Sequence, residues 1–270
     1  MRRGLEVIGL HAGHGTVEAL HGLTLHFPLG TLTGVLGRNG AGKSTLVQAI
    51  AGTVPVTSGS IRWRGVEITS MSPHRRVAAG LMVVPDDRNV FFELTVEEHL
   101  SLSGGGVAPD GMYALFPELG RVAGRRVSSL SGGERQMVAL ARLLLRPGDC
   151  VLLDEASRGL APSAVDRLYR ALTDLVSPQR TVIVVEQYQS EILRRADIVY
   201  VISRGELAWA GEHNELIGGR LPTVAMTESG FVGDVRHVVT DRLIAGRHGL
   251  PSTGSVTDAV GPAGDEQTVA

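Results

Sequence analysis

Gly37-Arg38-Asn39-Gly40-Ala41-Gly42-Lys43-Ser44-Thr45 stands between an apolar run, Leu32 to Leu36, and a helix-like run, Ser44 to Ala51. A glycine-rich turn between a strand and a helix is the form of a phosphate cradle. Its backbone N–H groups and the positive end of the following helix dipole surround phosphate oxygens; Lys43 adds a full charge and Ser44 a hydroxyl suited to Mg²⁺. Glycine is required because side chains would hold the backbone away from the phosphates. On this composition about 0.002 chance matches to G-x4-G-K-[ST] are expected. Lys43 is the only lysine among the 26 basic residues, and it falls where a compact ammonium suits the loop better than a planar fork.

A chain of 270 residues can bury a sizeable core as one large domain or one domain with appendages. The formal net charge of −2 provides no basic field for nucleic acid. The start, Met1 to Glu6, lacks the apolar core of a signal peptide and reads as a strand. No apolar segment approaches the roughly 18 residues of a membrane span, so the chain is expected to be soluble or peripheral. The single cysteine, Cys150, excludes an internal disulfide, fits a reducing cytosol and, heading an apolar strand, is expected to be a buried small hydrophobe.

Residues 5 to 36 alternate apolar and polar positions, which predicts antiparallel strands leading into the cradle. A second alternating strand is expected across Ser58 to Gly65. Leu81 to Val84 reads as a strand buried on both faces. Thr95 to Leu102 predicts a helix with Thr95 as N-cap and Glu98 at the capping-box position. Residues 103 to 111 read as a loop, and Met112 to Leu119 as a helix. Met137, Leu140, Ala141 and Leu144 line one face of another helix, stopping near Pro147. Further on, Val165 to Leu175 and Ser190 to Arg195 read as helices, Thr181 to Val185 as an apolar strand, and Ile198 to Ile202 with Glu206 to Ala210 as a closing pair. Strands alternating with helices around such a loop imply an α/β fold with a mainly parallel sheet. Beyond about residue 219 the chain turns to Gly, Pro, Thr and small residues; a short helix is expected within 231 to 243 and disorder from 246 to 270.

Val151-Leu152-Leu153 is a buried strand ending on two acids, Asp154 and Glu155. At the end of such a strand Asp154 can hold Mg²⁺ through water, and Glu155 can orient and deprotonate a water attacking a γ-phosphate. An acidic pair on an ordinary surface loop would be only a solvated face. Here it accompanies a phosphate cradle.

The order of these motifs resembles the ATP-binding cassette (ABC) family over residues 4 to about 218. Leu130-Ser131-Gly132-Gly133-Glu134 is similar to that family's signature sequence. In the family two cassettes face head to tail, the signature of one closing over ATP held by the other. The resemblance implies a P-loop ATPase fold with an antiparallel β subdomain and a helical subdomain at about 88 to 146. Residues 219 to 270 are expected to be a C-terminal extension, partly disordered. A near-copy, Leu102-Ser103-Gly104-Gly105, is followed by Val107, Pro109 and Gly111 and reads as a decoy. The physics agrees with the signature assignment, since Ser131, Gly132 and Gly133 at a helix start would present donors to a γ-phosphate.

Asp86 stands where the family commonly has the Q-loop glutamine, and Gln187 where it has the switch histidine. The D-loop reads Ser157-Arg158-Gly159-Leu160-Ala161-Pro162. These features together resemble the LivF-type ATPases of branched-chain amino acid importers. By the same resemblance His14 takes the place of the aromatic that stacks on adenine, the alternative being a surface-turn histidine, and Asp86, Glu155 and Gln187 are the catalytic set. A glutamine cannot carry charge as histidine can, so Glu155 is expected to dominate hydrolysis. The implied partners are a second ATPase subunit, integral permease subunits at the cytoplasmic face of the membrane and, indirectly, an extracytoplasmic solute-binding protein. The alternatives are a soluble non-transport cassette, which would typically carry two cassettes or coiled-coil insertions, and an exporter ATPase.

Overall fold

The computed structural model describes residues 3–84, 90–103, 110–145, 148–187 and 190–212. In chain order, β1 (Leu5–His14) and β2 (Val17–Phe27) form an antiparallel hairpin; β3 (Leu32–Leu36) leads into α1 (Lys43–Ala51). Next come β4 (Val56–Trp63), β5 (Val66–Glu67), α2 (Pro73–Ala78) and β6 (Leu81–Val84). The α-helices α3 (Val96–Ser103), α4 (Asp110–Leu115), α5 (Pro117–Arg121) and α6 (Gly132–Leu145) follow among the described residues. The last third alternates again, with β7 (Cys150–Asp154), α7 (Pro162–Leu175), β8 (Thr181–Glu186), α8 (Ser190–Arg195), β9 (Ile198–Ser203) and β10 (Glu206–Gly211).

These strands make two sheets among the described residues. One is antiparallel, in the order β2-β1-β4-β5; the other runs β10-β9-β3-β8-β7-β6, parallel except for β10. Every residue of β3, β7 and β8 is buried, which is why they read as unbroken apolar runs rather than alternating ones. The expectation for residues 5 to 36 holds for β1 and β2 only. β3 leaves that sheet to pair in parallel with β8 and β9. β6 is also exposed more than expected: as an edge strand it leaves Met82 and Val83 half-buried.

The helical segment keeps its predicted start. Thr95 N–H donates to Glu98 Oε2 at 2.8 Å while Glu98 N–H donates to Thr95 Oγ1 at 3.2 Å, a reciprocal capping box. The predicted helix over Met112 to Leu119 is instead two, α4 and α5, because Pro117 cannot continue the ladder and opens the second. Ser103 closes α3, and Asp110 and Gly111 open α4, so both ends of the predicted loop are helical; residues 104–109 lie outside the described residues. On α6, Val138, Ala139 and Leu143 are buried along with the predicted stripe, since α3 and α5 pack on one side and β6 on another. Residues 213–270, with the expected short helix and tail, fall outside the description. No described helix is long and apolar enough to cross a membrane.

Candidate functional site at the strand ends

Pairing of β3 with β8, and of β8 with β7, aligns Leu36 with Glu186 and Val185 with Asp154. The Gly37–Thr45 loop, Gln187 and Glu155 therefore emerge side by side from the carboxyl edge of one parallel sheet. That edge is where open α/β sheets hold their ligands.

The loop has the backbone a phosphate cradle requires. Gly40 and Gly42 have φ of +78° and +98°, values a residue with a Cβ rarely adopts. A Cβ on Gly42 would also meet Ala19 O at 2.8 Å, whereas one on Gly40 would meet nothing within 4 Å, so the loop is crowded behind and open in front. The first ladder bond of α1 runs from Leu46 N–H to Gly42 O at 2.9 Å; the amides of Lys43, Ser44 and Thr45 precede it at the positive end of the helix. Lys43 is only 5% exposed. Its Nζ donates to the carbonyls of Gly37 at 2.8 Å and Arg38 at 3.1 Å. Burial lowers the ammonium's pKa, and the charges of Glu155, Asp154 and Glu186 oppose that shift. Arg38, Asn39 and Ser44 are exposed, while Ala41 and Thr45 turn inward.

Asp154 ends β7 buried, at 3% exposure. Glu155 follows with φ +48°, left-handed for a non-glycine residue, and its N–H donates to Val185 O at 2.9 Å. This turn takes the Glu155 side chain off the strand's alternation. Its Oε2 accepts from Arg158 Nη1 at 3.2 Å. The set of phosphate-facing amides, one ammonium, a helix-start hydroxyl and two strand-end carboxylates suits a nucleotide triphosphate with a divalent cation.

The signature segment opens α6. Ser131 N–H donates to Glu134 Oε2 at 2.7 Å, and Glu134 N–H donates to Ser131 Oγ at 3.3 Å, a second capping box. Ser131 stays exposed with Gly132 and Gly133 behind it. A Cβ on Gly133 would stand 2.5 Å from Gly159 O, so this position is limited to glycine by the D-loop itself. The decoy has no such place: Leu102 and Ser103 close α3 rather than open a helix.

Gln187 is exposed just beyond β8. His14 is exposed at the end of β1, paired with Val17 across the hairpin turn, in the antiparallel sheet rather than on the strand-end edge. Asp86 lies outside the described residues. Sequence reasoning assigned Glu186 no role of its own. It is 3% exposed, and its Oε1 accepts the Ser157 N–H and the Tyr169 hydroxyl, each at 3.0 Å. An acid at the end of an otherwise apolar strand was the available signal. Cys150 is buried, with its thiol pushed up to about 12, as expected of a small hydrophobe.

Fold and site together define a P-loop nucleotide-binding ATPase. The ABC transporter family pattern matches residues 20–158. The chain is 36% identical over 201 residues to the high-affinity branched-chain amino acid transport ATP-binding protein BraG of Pseudomonas aeruginosa, covering 72% of this chain and 86% of BraG. It is also 36% identical over 224 residues to a probable branched-chain amino acid transport ATP-binding protein, LivF, of Archaeoglobus fulgidus, covering 79% and 94%. A solved ATP-binding cassette of an ABC transporter shares the fold, with a TM-score of 0.69 at 22% identity over 81% of this chain and 96% of that one. The chain belongs to the ABC transporter ATP-binding family, whose members are ATPases.

Proposed function

We propose that this chain is the ATPase subunit of an importer for branched-chain amino acids or similar small polar solutes, acting at the cytoplasmic face of the membrane. The observation that carries the reading is the register of β3, β8 and β7, which puts a phosphate loop and a strand-end carboxylate pair on one edge. The solute class is supported by the branched-chain amino acid transport for which BraG and LivF are named.

In this reading residues 4–218 form the cassette, with its helical part at about 88–146, and 219–270 is an extension. Gly37 to Thr45 wrap the phosphates of ATP, Lys43 bridges them and His14 stacks on adenine. Ser44 and Asp154 would hold Mg²⁺, which would supply charge neutralisation on the phosphates. Glu155 takes the proton of the attacking water, Gln187 hydrogen-bonds the γ-phosphate, and Asp86, at the Q-loop position, completes the catalytic set. Ser131, Gly132 and Gly133 close over the ATP of a second ATPase subunit, and that closure moves the attached permease subunits. An extracytoplasmic binding protein delivers the solute.

Affinity purification of the full-length chain from its own membranes, followed by ATP-dependent uptake in vesicles, tests this reading. Recovery of integral permease subunits and accumulation of leucine, isoleucine or valine are expected. Association with ribosomes or DNA and no membrane partner, or ATP-driven extrusion, would overturn it.

A further inference from the structure

Glu186 presents a problem of physical chemistry. A carboxylate 3% exposed in the interior is costly unless its oxygens are bonded, and burial indeed pushes its carboxyl above the usual range. Its partners come from two other elements. The Ser157 N–H belongs to the segment leaving Glu155, and the Tyr169 hydroxyl to α7; both reach Oε1 at 3.0 Å.

The segment they hold needs holding. Glu155 sits at φ +48°, a conformation of the kind that persists only where the surroundings over-determine it. On one side, Glu155 N–H is fixed to Val185 O; on the other, Ser157 N–H is fixed to Glu186. Gln136 Nε2 donates to Ala156 O at 3.2 Å between the two, and Gly159 lies against Gly133 of the signature. We propose that Glu186 is a positioning residue for hydrolysis: braced by Tyr169, its carboxylate anchors Ser157 and so holds Glu155 aimed at the γ-phosphate and Gly159 at the signature. This rests on the reading of Glu155 as the base. Because Glu186 immediately precedes Gln187, the switch position and the D-loop share one anchor.

The test compares Glu186→Val, Glu186→Gln and Tyr169→Phe in the full-length chain, measuring kcat, KM, nucleotide Kd and melting temperature. Glu186→Val leaves the Ser157 amide without its acceptor. It is expected to lower kcat by about tenfold or more, since misplacement of a base by about 1 Å can cost ~100-fold, with nucleotide Kd changed less than about threefold. Tyr169→Phe should act in the same direction by roughly two- to fivefold, and Glu186→Gln, whose amide oxygen can accept both bonds, should retain at least about a third of kcat. A folded Glu186→Val with kcat within about twofold of wild type, or a Gln variant as impaired as the Val variant, would overturn the proposal. Should the Val variant not fold, an unchanged kcat in Tyr169→Phe overturns it equally. Glu155→Gln assayed in parallel separates the two claims. Retained turnover there refutes the base, whereas a dead Glu155→Gln beside an unimpaired Glu186→Val refutes only the positioning role.

Discussion

Lys43 Nζ lies 2.8 Å from the carbonyl oxygen of Gly37, so the chain's only lysine side chain bonds back onto its own loop. A phosphate would replace those neutral carbonyl acceptors with anionic oxygens, adding ion-pair attraction to the hydrogen bonds of the ammonium. Lys43→Ala is expected to weaken ATP binding by about tenfold or more, near 1.4 kcal/mol, in a fluorescent-nucleotide titration. Unchanged affinity would contradict the cradle.

The same lysine supplies its own probe. Amine-reactive labelling followed by peptide mass analysis reports on Lys43 alone among the side chains, and ATP should protect it. Equal labelling with and without ATP would place the nucleotide elsewhere.

Ser131 Oγ accepts the Glu134 amide and keeps its hydroxyl hydrogen for an outward donation. Ser131→Ala should therefore have two effects. It removes an N-cap, lowering stability by about 1 kcal/mol, and it weakens ATP-induced association of subunits. Sedimentation with and without ATP, beside a thermal melt, reads both; a melt shifted with association intact would confine Ser131 to capping.

His99 gives the fold a pH dependence. It is 1% exposed on α3, its Nε2 accepts the Phe91 N–H at 2.7 Å, and burial first, then the charge of Arg142, lowers its pKa to about 4. The fold thus favours the neutral ring. Its contribution is fully present above the unfolded value near 6.5 and is lost as pH falls from there toward 4, by at most about 3 kcal/mol. Thermal melts between pH 7.5 and 4.5 should fall more steeply for the wild type than for His99→Gln. Parallel slopes would remove His99 as the cause.

What could be read from the sequence was what is local. The Gly37–Thr45 loop, the apolar strand ending at Asp154 and the Thr95–Glu98 cap all lie within short stretches whose spacing carries the chemistry, and each forms as expected. Pro117 announced the break between α4 and α5, although an apolar pattern running through it read as one helix. The Ser157–Tyr169–Glu186 bonds could not be read in this way, because three separate segments meet only after β7, α7 and β8 have packed. Arg76 is a similar case. In a basic six-residue helix it looks solvated, yet it is 2% exposed and donates to Ala49 O at 2.6 Å and Ile50 O at 2.7 Å. It thereby caps the carboxyl end of the loop's own helix.

Hydrolysis through Glu155 of the ATP held by Gly37 to Thr45 is the step on which the proposed function depends. Its most direct test is steady-state ATPase of Glu155→Gln, with size-exclusion chromatography in ATP. Turnover is predicted to fall by about 100-fold or more while an ATP-bound dimer accumulates, because the amide keeps the shape of the side chain and cannot take the proton. Turnover at the wild-type rate would remove Glu155 as the base.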